Sequence, residues 1–571
     1  MSNVVFITPN LNGRLSDNVL GSLQLATILD QQGIDCEIIP FYQIGEMTTL
    51  AEFLDRAMDA IEKQKPKIVS FYTRCDTYHI MLKMAQRIKE RWPEIYTVMG
   101  GPQSDITAED TIRLIPYVDF ICCGEGETTI YPFFSSLLQD KPDTSVAGLV
   151  YRENGEVKKN PRPELINDLD TIPMIDYSFF HYNEKPDALE KAVFPIDVGR
   201  GCPFGCTYCS TKSFWGRKFR LKSPERIVSE IKHIHDTFGI TVFNFSHDMF
   251  TMNRKSVTKT CALLKELDFP IQWYCSARLD CIDPELLDIM TDAGMKRIFI
   301  GIETGSPRMQ KLINKNLDLR NAVPIMSYLK KKDCTTIASF IYGFPEETEE
   351  DLSQTMVLLA KLLQLRSVFV QTHLCAFFAG TELARRYQSE MTKTEQKSDA
   401  TGDYFLAECS DLTDAYPELF QHLLEYKTPL RARLQHFPLF FKTWAIMQPV
   451  YQYLSEKYPQ DRLIDMYYAF VEANKELLKK MEGTPNSQQL KQFALADKFP
   501  KQFRDDENFD IIDDIYRFRF AQLISRGQKD VQTCQTFCFS PLELKTDTPL
   551  QAYTRSTTVV RIQDGKVSVE D

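Results

Sequence analysis

The sequence predicts an α/β protein: an N-terminal doubly wound parallel-sheet domain, a central partial (β/α)6 barrel and a mostly helical C-terminal region. Three observations predict it. Short apolar runs alternate with helical stretches over roughly the first 140 residues, a second alternation with wider spacing begins near Val193, and alternation stops near residue 385. The boundaries expected from these changes are 1–140, a connector at 141–190, a barrel at 191–385 and a helical region at 386–571.

In the first region the apolar runs are Val4–Thr8, Cys36–Phe41, Ile68–Tyr72, Tyr96–Met99 and Phe120–Cys123, with helices such as Tyr78–Arg91 between them. Short apolar strands separated by helices imply a parallel sheet. Ligands of such sheets bind beyond the carboxyl ends of the strands. Those ends hold Asn10 in Thr8-Pro9-Asn10, then Thr73-Arg74, Gly100-Gly101-Pro102 and Gly124-Glu125-Gly126-Glu127. Repeated glycine there lets the backbone approach a large flat ligand closely; the plainer reading is tight turns. In the connector, Val150–Val157 reads as a hairpin turning on Asn154-Gly155. A stretch rich in Pro and Asp comes next, through Asp176.

The second series offers strands at Val193–Val198, Thr241–Phe245, Ile271–Ser276, Arg297–Ile302, Thr335–Tyr342 and Ser367–Leu374. Their spacing is that of a βα unit. Ser223-Pro224-Glu225 and Asp283-Pro284-Glu285 each combine an N-cap, a proline at the first helical position and an early acid. Six such units suggest a partial parallel barrel, whose chemistry sits at the carboxyl ends of its strands. Farther on, Tyr451–Tyr458, Arg462–Met481 and Phe509–Ser525 have helical spacing, and Thr557–Val569 reads as a hairpin around Asp564-Gly565. Cys534 and Cys538 are spaced like metal ligands but lack nearby partners.

Composition narrows the function classes. A net charge of −11 over 571 residues argues against a general nucleic-acid binder, which needs clustered Lys and Arg. No stretch reaches the ~18 apolar residues of a membrane span. Phe437–Val450, the most apolar late segment, is interrupted by Lys442 and Pro449 and is expected to be a buried or interfacial helix. The first ten residues lack the charged region and apolar run of a secretory signal, so a cytoplasmic protein is expected. Fifteen cysteines, an odd and scattered set, are expected to be thiols; singles such as Cys36, Cys261 and Cys334 read as small buried hydrophobes.

Three cysteines stand apart. The segment Gly199-Arg200-Gly201-Cys202-Pro203-Phe204-Gly205-Cys206-Thr207-Tyr208-Cys209 directly follows the first strand of the second series. Thiolates hold iron–sulfur clusters, and a four-iron cluster has four ligand positions. Ser210–Trp215 supplies neither a histidine nor a fourth cysteine. Three ligands on four irons leave one iron open to a substrate or cofactor. The alternatives are a zinc site, which wants four closed ligands, or three ordinary thiols.

This Cys-x-x-x-Cys-x-x-Cys loop resembles that of the radical S-adenosylmethionine superfamily, and the resemblance extends in order over about 190 residues. It implies a [4Fe-4S] cluster on Cys202, Cys206 and Cys209, whose open iron chelates S-adenosylmethionine. It further implies that Tyr208 packs near the adenine and that Asp248, after the second strand, meets the methionine amino group. Ser276 and Arg278 would meet ribose and carboxylate, Glu303 ribose or methionine, and the Gly343 segment the adenine. Each also has an ordinary reading as a rim charge or helix cap. The implied reaction is one-electron cleavage of the sulfur–C5′ bond to a 5′-deoxyadenosyl radical, which removes hydrogen from an unactivated carbon.

The domain before the barrel resembles that of the cobalamin-binding subclass, implying cobalamin contacts at Asn10, Gly100, Gly101, Gly124, Glu125 and Gly126. One departure matters. The Asp-x-His-x-x-Gly signature that supplies a lower imidazole is absent, since Thr8–Arg14 contains no histidine. His79, after the third strand, either approaches the ligand or is an ordinary helix histidine. The resemblance implies C-methylation of a natural-product or peptide precursor, with an electron donor such as flavodoxin or ferredoxin. The alternatives are a radical cyclase or other rearranging enzyme, and a non-catalytic iron–sulfur redox sensor or binding module. Substrate contacts are expected from 386–571.

Overall fold

Seven strands build the first sheet: β1 (Val4–Thr8), β2 (Cys36–Pro40), β3 (Ile68–Tyr72), β4 (Tyr96–Gly100), β5 (Phe120–Cys122), β6 (Leu149–Glu153) and β7 (Glu156–Lys159). The computed structural model describes residues 2–10, 17–45, 48–180, 193–365, 367–393, 404–440, 463–480, 533–539, 555–563 and 566–570. The order is β2-β1-β3-β4-β5-β6-β7. β1 to β5 are parallel. This is a doubly wound sheet whose order reverses between β1 and β3, the place where such sheets bind ligands. All five residues of β1 are buried, as a strand covered on both faces requires. Phe41, expected at the end of β2, instead opens a short helix behind Pro40.

The helix Leu50–Gln64 shows how the layer is made. Thr49 caps it by accepting the Glu52 N–H, and Leu50, Phe53, Leu54, Ala57, Met58 and Ile61 form one buried stripe. Each of these side chains larger than alanine stabilises the fold by ~1.5–3 kcal/mol when fully buried. The expected hairpin is present as β6 and β7, with Asn154 and Gly155 at φ 51° and 83°, both in the left-handed region a tight hairpin turn demands. It extends the sheet antiparallel from β5.

The second sheet contains β8 (Phe194–Asp197), β11 (Val242–Ser246), β12 (Gln272–Ala277), β13 (Met295–Glu303), β14 (Thr335–Tyr342) and β15 (Val368–Leu374), in the order β15-β14-β13-β12-β11-β8. Neighbours from β8 to β13 pair in parallel. Between β8 and β11 lies a two-stranded ribbon, β9 (Gly199–Arg200) with β10 (Arg220–Leu221). Both predicted helix starts are as read. Ser223 accepts the Arg226 N–H ahead of Pro224–Phe238, and Asp283 accepts the Leu286 N–H ahead of Pro284–Asp292.

The chain divides into two compact units. One comprises Met1–Ile300, Ile313–Lys315 and Leu374–Tyr426; the other comprises Gly301–Leu312, Asn316–His373 and Lys427–Asp571. In the first, a late segment returns to the first sheet. It carries a small antiparallel ribbon, β16 (Thr392–Lys393) with β17 (Leu424–Glu425). Cys409, Leu412, Leu419, Phe420 and Leu423 join the core of Phe53, Met58 and Tyr78. Lys83 pairs with Asp411 at 2.6 Å, and Gln103 donates to the Leu419 carbonyl at 2.9 Å. Part of the region expected to supply substrate contacts is thus used for packing. In the second unit, Glu349–Leu363 begins with a capping box between Thr348 and Asp351.

Among the remaining described residues, Arg462–Met481 resolves into helices Leu463–Ala473 and Lys475–Lys480. The tail hairpin is β19 (Arg555–Gln563) with β20 (Lys566–Glu570), joined by an unexpected antiparallel β18 (Thr533–Phe539) that carries Cys534 and Cys538. Tyr451–Tyr458, Phe509–Ser525 and most of Phe437–Val450 lie outside the described residues. Among those described, no helix is long and apolar enough to cross a membrane.

Candidate functional site

The cysteine loop spans the ribbon β9–β10. Gly201 has φ +82°, and a Cβ there would collide with the Lys218 carbonyl, so only glycine admits the chain into the loop. Neighbouring backbone pins the rest of the loop. Thr207 donates to the Ile313 carbonyl at 3.0 Å, Leu383 to the Thr207 carbonyl at 2.9 Å, and Cys209 to the Cys206 carbonyl at 3.3 Å. The Asn314 amide donates to the Gly205 carbonyl at 2.9 Å.

Cys206 is buried, Cys202 and Cys209 half-buried, and none is in a disulfide. Burial pushes the Cys202 thiol up to about 11, and Asp248, Cys209 and Cys206 add to the rise. Burial also raises Cys209, against a hydroxyl contact with Thr211. Cys202 and Cys209 therefore have Asp248 and Cys206 as common electrostatic neighbours. Among the described residues no three His, Cys, Asp or Glu side chains are gathered as ligands of a single ion. In a cluster each thiolate takes a different iron, so its cysteines need not converge on one point.

Beside the loop sits a cavity of about 600 Å³. From the first sheet it is lined by Tyr72, Gly100, Gly101, Gly124, Glu125 and Gly126; from the second by Arg200, Trp215, Ser246, His247, Asp248 and Ser276. A space of this size takes a cofactor-sized ligand. Gly101 shapes its wall. Its φ is +97°, and a Cβ would lie 2.9 Å from the Thr73 carbonyl oxygen and 3.1 Å from the Tyr72 ring. Burial raises the Asp248 carboxyl, and a Thr211 hydrogen bond partly opposes the rise.

The cavity edge carries a dense ion network. Glu125 accepts from Arg200 at 2.8 Å, from Arg220 at 2.8 and 3.0 Å, and from the Ile166 N–H at 2.7 Å. Burial would raise the Glu125 carboxyl, but Arg220 and Arg200 hold it below its usual range. Arg200 also reaches Glu127 at 2.5 Å and Asp197 at 3.4 Å. Glu125, expected as a cofactor contact, thus has its carboxylate occupied by the protein itself.

Arg278, 4 % exposed, lies against the cysteine loop. Its guanidinium is 3.7 Å from the Phe204 ring centroid, and Nη1 is 3.9 Å from the Cys206 sulfur. Its fork grips Asp280 at 2.9 Å on both sides and donates to the Lys315 carbonyl at 2.7 Å. Tyr208 is near Lys315, 3.5 Å from its amine, and does not line the cavity. Asn10 is buried, with its backbone carbonyl held by the Tyr42 N–H at 2.8 Å. His79 is fully buried, its Nε2 2.6 Å from the Tyr404 carbonyl, and is absent from the cavity wall. It serves as a packed helix histidine.

In the second unit, Glu303 ends β13 with φ +67°, a strained conformation for a non-glycine residue of the kind that clusters at functional sites. Gly343 ends β14. Its N–H donates to Glu347 at 2.5 Å and its carbonyl accepts from Arg431 at 2.9 Å. Burial pushes the Glu347 carboxyl up to about 8, partly opposed by that N–H.

Sequence reasoning missed Asn244, Ser246, His247, Trp215 and Arg200 as cavity residues. A signal existed for two of them. On β11, Asn244 and Ser246 alternate with buried Phe243 and Phe245, so polar side chains recur on one face of an otherwise apolar strand.

Comparison with known proteins extends this geometry. Residues 196–359 match the family model of the radical SAM superfamily, and residues 18–132 that of the B12 binding domain. An uncharacterized methyltransferase of Pyrococcus horikoshii is 31% identical over 53% of this chain and 66% of its own length. An anaerobic magnesium-protoporphyrin IX monomethyl ester cyclase of Synechocystis is 26% identical over 56% of this chain and 64% of its own length. The chain therefore spans just under two thirds of each of these relatives. The structure of the cobalamin-dependent S-adenosylmethionine radical enzyme OxsB, with aqua-cobalamin and S-adenosylmethionine bound, superposes with a TM-score of 0.61 at 17% identity, covering 92% of this chain and 80% of that one. At that identity the likeness is one of fold.

Proposed function

Because the chain belongs to the radical S-adenosylmethionine superfamily and carries a B12-binding domain, we propose that it is a cobalamin-dependent enzyme that cleaves S-adenosylmethionine reductively and C-methylates an unactivated carbon of a small-molecule or peptide substrate. The observation that carries this reading is the single cavity wall shared by strand-end glycines of the first sheet and by Asp248 and Ser276 beside the cysteine loop. When bound, the cluster supplies the electron for cleavage and cobalamin the methyl group.

The chain's own residues do the placing. Cys202, Cys206 and Cys209 hold the cluster and leave one position for S-adenosylmethionine. Asp248 accepts from its amino group, and Ser276 offers a hydroxyl to its polar end. The rigid backbone at Gly100, Gly101 and Gly124 lets a flat macrocycle lie close to the strand ends. Trp215 and Phe214, which meet edge-on at 4.6 Å, give the cavity an aromatic side that excludes water. Cytoplasmic placement and reduction by a flavodoxin- or ferredoxin-like donor belong to the same proposal.

Ring formation is the second reading, supported by the similarity to the cyclase. Anaerobic reconstitution with iron, sulfide and cobalamin tests both. Bound cobalamin absorbance, 5′-deoxyadenosine release and labelled methyl in the product are expected. Protein that stays free of cobalamin at high supply overturns the first reading. Label-free product with continued 5′-deoxyadenosine release favours the second. Replacing the three cysteines by alanine should abolish 5′-deoxyadenosine; unchanged release refutes the cluster assignment.

A further inference from the structure

We propose that Arg200, gripping Glu125 and Glu127, is a positioning clamp that sets the separation and orientation of the cobalamin-bearing strand ends relative to the cysteine loop. The clamp rests on the proposed cobalamin-dependent function.

Three features carry it. First, one guanidinium bonds carboxylates from both sheets: Glu125 at 2.8 Å and Glu127 at 2.5 Å from the loop after β5, and Asp197 at 3.4 Å at the end of β8. Second, Arg200 stands two residues before Cys202, and Glu125 stands between Gly124 and Gly126 on the cavity wall. A displacement of either loop therefore moves a cofactor-bearing segment directly. Third, the core of the group is buried. The side chains of Arg200, Glu125 and Arg220 are 9%, 1% and 6% exposed.

Burying so many charges is a poor route to stability, since apolar residues of similar volume commonly do as well. Directionality is what ions add. A guanidinium fork donates to carboxylates near its own plane, so it fixes angle as well as distance. Arg220 reinforces the point. It bonds Glu125 and, at 2.5 Å, the Ile166 carbonyl, while its Nε and Nη2 find no partner among the described atoms. Among the described residues Glu125 is the one carboxylate that both arginines share, and Trp215 lies against both guanidiniums at 5.6 and 5.8 Å.

The test uses the full chain, reconstituted anaerobically with both cofactors, as parent, Arg200→Met, Arg200→Lys and Glu127→Gln. Pulsed electron paramagnetic resonance measures the separation of cob(II)alamin from the reduced cluster. Absorbance follows methyl transfer from S-adenosylmethionine to the bound cobalamin. The parent should give one narrow distance distribution. Arg200→Met should broaden it and slow methyl transfer about 100-fold, the scale of an ångström-sized misplacement, with iron and cobalamin content near the parent's. Arg200→Lys keeps the charge without the fork and should also broaden it; Glu127→Gln removes one arm and should show the smaller change. Variants that hold both cofactors with the parent's distribution and rate overturn the clamp. If Arg200→Met does not fold, Glu127→Gln decides by the same measurement. If the parent binds no cobalamin, the functional reading fails on its own. The clamp is then judged by hydrogen exchange, which should quicken over 122–129 in Arg200→Met and Glu127→Gln; unchanged exchange overturns it.

Discussion

Gly101→Ala is the most direct probe of the cavity wall. The residue has φ +97° and ψ 173°, a region of backbone space that only glycine occupies readily. Forcing an alanine into it costs about 2–3 kcal/mol. The new methyl would also sit 2.9 Å and 3.0 Å from the backbone of Thr73 and 3.1 Å from Tyr72, so the end of β3 must retreat or the β4 loop must swing into the cavity. If restoring the open wall takes that same free energy, cobalamin affinity falls roughly 30- to 150-fold. The assay is an anaerobic titration followed by absorbance. Gly33→Ala is the control. It too has positive φ, +78°, but no atom within 4 Å of the added methyl. It should lose about 1 kcal/mol of stability through the left-handed backbone and keep its cobalamin affinity. Gly101→Ala binding within twofold of the parent would refute the reasoning, as would an equal loss in Gly33→Ala.

Other predictions concern buried charges. Glu347 has its carboxyl raised to about 8 by burial, so the folded state holds a proton that the unfolded state releases above its ordinary value of 4.5. Its contribution is fully present below about 4.5 and is lost as pH rises through about 8; thermal melting should fall over that window, and Glu347→Gln should flatten the slope. His422 is shifted the other way, to about 3, by burial and by repulsion from His79. Its neutral form supports the late segment above pH 6.5, and that support is lost as pH falls toward 3; hydrogen exchange over 404–425 should quicken on acidification, and less so in His422→Phe. Arg278→Met removes the bonds to Asp280 and the Lys315 carbonyl and the stacking on Phe204. Iron retained per chain should drop, with Arg278→Lys intermediate, because lysine keeps the charge but lacks the planar fork.

How far the sequence was legible depended on whether the information was local. Strands β1 to β5 were readable because an apolar run between helices needs no knowledge of its neighbours. So were Ser223 and Asp283, because a cap bonds to the backbone three residues away. Phe41 was misread because the turn after Pro40 depends on what the side chain packs against, here Phe53 at 5.1 Å. β18 was missed because an antiparallel strand with mixed polarity is defined by its partner β19, some twenty residues on.

The site divides along the same line. By itself the sequence determined the three cysteines, the glycines at the strand ends and the order of the polar residues after each barrel strand, since ligand type, spacing and backbone freedom are properties of the chain. Only the tertiary structure decided what those residues face. Glu125 turns to Arg200 and Arg220 and not to open space, Arg278 lies on the cysteine loop, and His79 is buried under Tyr404. Partners 75, 95, 72 and 325 residues apart are chosen by packing and by the need to neutralise buried charge. Nothing local to either residue encodes that choice.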